Sequence, residues 1–194
     1  KILIRFFTKT GIFYGCRFPD LTDFWVSKAY RSVASEKWDL VVSSAGPYTV
    51  HHVAAKLRSS GLATRWIADW RDLWVDNHIY PGIKLFFPLE LRWERSWMIA
   101  ADHITTVSQP LADVLQKKYG SKVSVVFNGF DPEDWGSLPR KSAFPEDGVV
   151  RILYTGTIYK GKQDPAPLFE AIYRLNFEKI ISPSQLQVLF CGNN

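Results

Sequence analysis

Short apolar runs alternate along the chain with longer stretches in which apolar residues recur at helical spacing. Short runs rich in β-branched side chains are typical of buried strands, and intervening helical stretches are typical of a parallel sheet. The pattern predicts strands over residues 39–43, 65–69, 103–107, 123–127, 151–155 and 187–191. It predicts helices over residues 21–35, 48–59, 83–101, 110–119 and 167–177. The expected fold class is therefore α/β, with a parallel sheet flanked by helices.

Residues 135–150 interrupt this alternation. The segment WGSLPRKSAFPEDGVV contains two prolines, two glycines and mixed charges with little periodicity, which is typical of a linker. We therefore predict a first domain over residues 1–134, a linker over 135–150 and the beginning of a second domain over 151–194. Because the chain begins at Lys1 rather than at methionine and stops directly after a predicted strand, we expect a fragment of a longer protein.

The composition excludes several classes of protein. The 194 residues are 46% apolar and 22% charged, which is typical of a soluble globular protein. The net charge of +5 is spread along the chain without a basic block, so no nucleic-acid partner is expected. Cys16 and Cys191 are too few for a disulfide framework or a four-ligand zinc site, which favours a reducing, cytoplasmic location.

The first candidate site follows the strand 39–43. In open α/β sheets, ligands bind at the carboxyl ends of the strands, and small residues such as Ser44 and Gly46 let a ligand approach the backbone there. A tight turn with hydroxyl capping is the structural alternative. His51 follows on the next helix and could face an acceptor, or have a capping or surface role. No set of Cys, His and Glu residues at metal-ligand spacing accompanies it, so no metal is expected.

The second candidate site follows the strand 65–69. Asp69, Arg71 and Asp72 place two carboxylates and a guanidinium between two indoles. Arginine is suited to bidentate recognition of carboxylate or phosphate, and Asp72 could orient it or act on a substrate hydroxyl. The alternative is an internal arginine–aspartate pair that fixes the loop.

The third candidate site follows the strand 151–155, where a glycine-containing loop precedes a helix. Gly156 and Thr157 allow close approach of a diphosphate, and Lys162 or Lys160 supplies positive charge. The GxxxxGK[ST] and GxGxxG spacings are both missing, so the loop is neither a P-loop nor a dinucleotide fingerprint.

The segment 79–101 mixes bulky apolar side chains with Lys84, Arg92 and Arg95. An amphipathic helix packed on its own sheet explains this pattern, and a helix lying on an anionic membrane surface is the alternative.

Four segments in order resemble the retaining GT-B glycosyltransferases of family 4. Pro19-Asp20 with Trp25 and Ala29 is similar to a PD....W...A entry, and residues 39–51 are similar to a D-hydrophobic-SS-PP-H stretch in which Ala45-Gly46 replaces a proline. Residues 68–74 resemble an ADFRDPW loop, with Trp70 and Leu73 as departures. The fourth segment comprises Ala101-Asp102, Thr106-Val107-Ser108, Asn128-Gly129-Phe130-Asp131, Tyr154-Thr155-Gly156-Thr157 and Gly161-Lys162-Gln163-Asp164-Pro165.

The resemblance implies two Rossmann-like domains, of which the first binds a glycan or lipid-linked acceptor and the second binds a nucleotide-sugar donor. It implies transfer with retention in polysaccharide or cell-envelope biosynthesis, without a metal or cofactor, in the cytoplasm or at the inner face of the membrane. It also implies that a first strand with its loop and an E-x7-E donor segment lie outside this chain, which would then be inactive alone. The residues it assigns are Asp69, Arg71 and Asp72 as catalytic, Gly156, Thr157 and Lys162 as donor diphosphate-binding, and Ser44, Gly46 and His51 as acceptor-side.

Two other functions fit the same scaffold. A nucleotide-sugar epimerase would need acid and base groups in a cleft, and a non-catalytic binding or scaffolding protein would keep the fold without the chemistry.

Overall fold

The structure is a computed structural model that describes residues 6–7, 9–136 and 142–192. The chain divides into two compact units, Lys1–Gly129 and Phe130–Asn194. The middle of the predicted linker, residues 137–141, lies outside the described residues. The predicted domain boundaries at residues 134 and 151 stay a prediction.

The first unit is built from alternating strands and helices. Its strands are β1 (Trp38–Ser44), β2 (Ala63–Trp70), β3 (His103–Thr106) and β4 (Val123–Val125). Its helices are α1 (Trp25–Val33), α2 (Thr49–Ser59), α3 (Phe87–Ala100) and α4 (Gln109–Tyr119). Short 3₁₀ turns, Leu21–Phe24 and Lys84–Phe86, precede α1 and α3, and a third, Gly120–Lys122, follows α4. The predicted α/β fold class is therefore confirmed.

The second unit contains α5 (Pro132–Gly136), β5 (Val150–Thr155), α6 (Ala166–Phe177), the 3₁₀ turn Pro183–Gln185 and β6 (Leu186–Cys191). Strands β5 and β6 are parallel, paired from Val150 with Leu186 to Thr155 with Cys191. This confirms the predicted strand–helix–strand unit. The sequence pattern does not predict α5, because five residues are too few for helical periodicity to show.

The four strands of the first unit form one parallel sheet in the order β1-β2-β3-β4. Each crossover between neighbouring strands contains one helix, and right-handed crossovers in one direction place these helices on one face. Because one face of the sheet is covered by helices, buried and less buried side chains alternate along a strand. In β2, Trp66, Ala68 and Trp70 are buried, whereas the intervening Arg65, Ile67 and Asp69 are not. The sheet therefore has a covered face and a more open face.

The core lies between the covered face and the helices. Trp66, Trp70, Met98 and Ile104 are at most 1% exposed. The Trp70 indole N–H donates to Met98 Sδ, 3.0 Å away, which joins β2 to α3. Burying four side chains of this size stabilises the unit by several kcal/mol, at about 1.5–3 kcal/mol for each large apolar side chain.

Two buried carboxylates on α3 anchor the segment after β2. Glu90 pairs with the equally buried Arg17, whose Nη2 is 2.6 Å from Oε2. The same guanidinium donates to the carbonyls of Val75 (3.3 Å) and Tyr80 (2.9 Å). One turn along the helix, Glu94 accepts from the backbone N–H of Val75 at 3.0 Å. The Val75 N–H is thus held by α3 and its carbonyl by Arg17, which is itself paired with α3, and this fixes the segment that carries Asp72.

Candidate functional site

The carboxyl edge of the sheet places three polar side chains in one row on the open face. The parallel register pairs Ser44 of β1 with Asp69 of β2, and Asp69 with Thr105 of β3. Because residues in register point to the same face, their side chains meet. The Ser44 hydroxyl donates to Asp69 Oδ2 at 2.7 Å, and the Thr105 hydroxyl donates to Asp69 Oδ1 at 2.8 Å. Each carboxylate oxygen therefore has a hydroxyl partner.

Arg71 lies beside this row. Its Nη1 is 3.9 Å from Asp69 Oδ2, and its Nη2 donates to the side-chain carbonyl of Asn128, just after β4. The Arg71 side chain is 47% exposed and the Asp69 side chain is 17% exposed. The sequence left open a pairing of Arg71 with Asp72, but within the described residues Arg71 pairs with Asp69 and Asn128 instead. Its guanidinium still faces solvent and can bind an anionic group.

Asp72 and Gly46 line a small recess next to the row. This edge recess has a volume of about 80 Å3 and is lined by residues from three loops: Gly15, Cys16, Ala45, Gly46, Tyr48, Trp70, Asp72, Leu73, Trp74, Asn77 and Tyr80. Gly46 has φ of 117°, a conformation that favours glycine. The structure thus brings Gly46 and Asp72 to one cavity, and Ser44, Asp69 and Arg71 to the neighbouring row.

His51 is fully buried within α2, so its side chain contacts the core rather than a surface. Its Nδ1 is 2.7 Å from Ser43 Oγ, and its ring centroid is 4.3 Å from that of Trp70. Burial lowers the pKa of His51 to about 3, with the Asp69 charge opposing the shift. A neutral imidazole with an internal partner supports the Trp70 wall of the recess, and any effect of His51 on an acceptor is exerted through that wall.

The predicted diphosphate loop lies in the second unit, after β5. Gly156 has φ of 144°, and its N–H donates to the Cys191 carbonyl at 2.9 Å. The Thr157 carbonyl accepts from the Tyr154 hydroxyl at 3.2 Å. Gly156, Thr157 and Lys162 are all exposed, and Lys162 contributes its backbone N–H to a 2.9 Å bond with the Tyr159 carbonyl. The fold of the loop leaves a lysine ammonium at its surface.

The residues 6–7, 9–136 and 142–192 contain no group of three or more His, Cys, Asp and Glu residues that could hold a metal ion. Arg71 in the first unit and Lys162 in the second place cationic side chains near the candidate sites.

Helix α3 confirms the prediction of a helix packed on its own sheet, since Glu90, Glu94, Trp97 and Met98 are buried. Its outer side nevertheless combines exposed apolar and basic residues. A shallow cavity there is lined by Pro88, Leu91, Arg92, Arg95, Ser96 and Ile99. No helix in the described residues is long and apolar enough to span a membrane.

Sequence reasoning missed Thr105, Asn77 and the two buried carboxylates of α3. Thr105 was within reach of the pattern, because it lies in the predicted strand 103–107, which neighbours the strand bearing Asp69. Glu90 and Glu94 were also within reach, since carboxylates one turn apart in an apolar helix need buried partners. Asn77 gave no signal, because its role depends on how the segment after β2 folds back.

The parallel sheet flanked by helices is consistent with a Rossmann-like α/β domain. The family model described as Glycosyltransferase Family 4 matches residues 7–134, more than half of the chain. The chain belongs to this family, and a glycosyltransferase-type function with sugar donor and acceptor substrates follows from that membership. Neither the curated proteins nor the solved structures contain a match to the chain.

Proposed function

We propose that the protein transfers a sugar from a nucleotide-sugar donor to a glycan or lipid-linked acceptor, with retention, in polysaccharide or cell-envelope biosynthesis. The observation that carries the proposal is the row Ser44–Asp69–Thr105 with Arg71 beside it, at the edge where α/β sheets bind ligands. A carboxylate held by two hydroxyls can accept a hydrogen bond from a sugar hydroxyl. An exposed guanidinium next to it can stabilise negative charge.

Asp69 is assigned a binding role rather than that of a nucleophile. Both of its oxygens already accept hydroxyl hydrogen bonds, and Arg71 lies 3.9 Å from one of them. Engagement of this kind lowers the availability of the oxygens for attack on a sugar carbon. We therefore favour same-face transfer assisted by the leaving phosphate over a double displacement with two carboxylates.

On the donor side, Gly156, Thr157 and Lys162 are assigned to the diphosphate. The exposed Lys162 ammonium offers charge-assisted hydrogen bonds to phosphate oxygens, and the glycine allows close approach to the backbone. A lysine beside the departing diphosphate would stabilise the developing negative charge without a metal ion.

Peripheral contact with an anionic membrane is part of the proposal, because a lipid-linked acceptor lies at a membrane surface. The outer side of α3 presents Leu91 and Ile99 beside Arg92 and Arg95. Exposed apolar side chains next to basic ones complement a negatively charged lipid surface.

The test is calorimetric titration of the full-length protein with UDP, GDP, ADP and CDP. One nucleotide is expected to bind, and Lys162→Ala is expected to weaken its binding by at least about 1 kcal/mol, as for a charge-assisted hydrogen bond. Lys160→Ala, in the same loop, separates a specific contact from the general charge of the loop. Equal loss in both variants, or no loss in either, would remove Lys162 from the donor site.

The products of a reaction with the nucleotide-sugar separate the proposal from its rivals. Sugar transfer releases a nucleoside diphosphate and a glycosylated acceptor. An epimerase on the same fold would instead return an isomer of the nucleotide-sugar or of its sugar. Binding of a nucleotide with neither product would indicate the non-catalytic alternative.

A further inference from the structure

The edge recess is small, and four of its eleven lining residues are aromatic. Three of these, Tyr48, Trp70 and Trp74, are buried, and Gly15 and Gly46 contribute backbone without side chains. Its volume of about 80 Å3 is several times the roughly 10–15 Å3 that a cavity needs on this measure to hold one water molecule. The recess therefore has room for a polar substituent of a sugar.

Two polar side chains of the recess differ in what they offer. Asn77 Oδ1 accepts from the backbone N–H groups of Ile79 (2.9 Å) and Tyr80 (3.1 Å). Because these two bonds fix the orientation of the amide, the Asn77 NH₂ group remains the donor. Asp72 offers carboxylate oxygens, and the described residues give this exposed carboxylate no hydrogen-bond donor. Asn77 and Asp72 thus give the recess one donor and one acceptor, and Trp74 in its wall carries a buried indole N–H that has no hydrogen-bond partner within the described residues.

The charge of the recess restricts what it can hold. Among its lining residues, all of them in the described part of the chain, Asp72 is the only one with a formal charge at neutral pH. A carboxylate or phosphate placed there would meet Asp72 without a cation to balance it, which is electrostatically unfavourable. The acceptor group must therefore be neutral or cationic.

We propose that the recess recognises an acetamido group on the acceptor sugar. An amide N–H donates to Asp72, the amide carbonyl accepts from Asn77, and the methyl group packs on the aromatic wall. The inference rests on the proposed glycosyltransferase function and adds to it the class of acceptor, a 2-acetamido sugar rather than a uronic acid.

Cys16 lines the recess and reports its occupancy. Cys16 and Cys191 are the two cysteines of the 194 residues, so alkylation by iodoacetamide is followed in a Cys191→Ser background by mass spectrometry of the peptide that contains Cys16. Burial and the nearby Asp20 and Asp72 raise the pKa of the Cys16 thiol, so the reaction is run at alkaline pH, where the thiolate forms. Methyl glycosides of N-acetylglucosamine, glucose and glucuronic acid are the probes.

The N-acetylglucosaminide is expected to slow alkylation severalfold, the glucoside less, and the glucuronide not at all. Asn77→Asp keeps the acceptor for the two backbone N–H groups but replaces the donor with a carboxylate, so protection by the N-acetylglucosaminide should be lost. Asp72→Asn removes the charge and should let the glucuronide protect. For each variant, the rate of Cys16 alkylation with sugar is compared with the rate of the same variant without sugar, because Asp72 also affects the reactivity of the Cys16 thiol.

Equal protection by all three glycosides, protection by none, or full protection in Asn77→Asp would overturn the inference. These results are distinct from failure of the proposed function. Sugar transfer without selective protection of Cys16 would overturn the recess assignment alone, whereas selective protection without sugar transfer would overturn the transferase proposal and leave a sugar-binding site.

Discussion

The hydroxyl of Ser43 lies between the indole of Trp66 and the imidazole of His51 and bonds to both. Ser43 Oγ is 2.8 Å from the indole Nε1 of Trp66 and 2.7 Å from His51 Nδ1. An indole N–H can only donate, so Ser43 accepts from Trp66. A hydroxyl can both donate and accept, so Ser43 is a partner of His51 Nδ1 in either tautomer of the neutral ring.

Removing this hydroxyl is expected to destabilise the first unit. Ser43→Ala leaves two buried groups, the Trp66 N–H and His51 Nδ1, without their partner, which costs about 1–3 kcal/mol for each group left unsatisfied. Ser44→Ala is the matched control, because the next residue of the same strand is exposed on the other face, and its hydroxyl bonds to the partly exposed Asp69 rather than to a fully buried group. Urea unfolding should show a clear decrease in the free energy of unfolding for Ser43→Ala and a change within about 0.5 kcal/mol for Ser44→Ala. Similar decreases in both variants would contradict a stabilising role of the Ser43 hydrogen bonds to Trp66 and His51.

His51 should also make stability depend on pH. Burial lowers its pKa from 6.5 in the unfolded chain to about 3 in the folded protein. Below pH 6.5 the unfolded state binds a proton that the folded state does not, so the free energy of unfolding decreases as the pH falls towards about 3. The decrease attributable to this residue is about 1.4 kcal/mol per pH unit.

His51→Asn tests this pH dependence, because asparagine keeps a polar group near Ser43 but does not titrate. The variant should unfold with a shallower dependence on pH than the wild type over that window, as measured by urea unfolding at a series of pH values. If the free energy of unfolding depended on pH equally in the wild type and in His51→Asn, the pKa of His51 would be the same in the folded and unfolded states.

The Arg17–Glu90 pair should behave as a coupled unit. Glu90→Ala leaves the 1%-exposed guanidinium of Arg17 without its counter-charge, and breaking a buried pair in this way costs about 3–5 kcal/mol. Arg17→Met with Glu90→Met removes both charges, so this double variant should lose less free energy of unfolding than the sum of the losses of the single variants Arg17→Met and Glu90→Met. A double-mutant cycle by chemical unfolding measures the difference, and additive losses would show that the pair is not coupled.

The sequence predicted the elements well because their periodicity is local. Each of the six predicted strands is present, and the predicted helices end within about two residues of the observed ones. The partners of Asp69 were not predictable in the same way, because Ser44 and Thr105 reach it only through the sheet register. The same holds for the recess, since Cys16, Gly46 and Asn77 come together only when three loops fold. Local pattern therefore predicts elements, whereas sites that depend on long-range packing require the structure.

The outer side of α3 should bind anionic vesicles. Each basic residue near such a surface contributes about 1 kcal/mol, so Arg92→Glu with Arg95→Glu should weaken sedimentation with the vesicles by at least about 2 kcal/mol. Lys28→Glu with Arg31→Glu, which reverses two exposed charges on α1, controls for net charge. Binding should also fall at high salt. Equal effects of the two double variants would assign the binding to overall charge and leave α3 as core packing.

Arg71→Ala should lower sugar transfer while leaving the fold intact. The guanidinium is 47% exposed, so its removal leaves no buried charge, but it takes away the cation beside Asp69. Loss of a preorganised charge-stabilising group typically reduces turnover by about 100-fold or more. Donor affinity, measured by calorimetry, should stay close to that of the wild type, because the proposed diphosphate contacts come from Gly156, Thr157 and Lys162.

Arg65→Ala is the matched control for Arg71→Ala. Arg65 is exposed on the same face of β2 as Asp69, but it lies four positions nearer the amino end of the strand, away from the carboxyl edge. If both arginine variants lost turnover equally, or if Arg71→Ala unfolded at lower urea concentration than Arg65→Ala, Arg71 would hold the loop in place rather than act on the substrate.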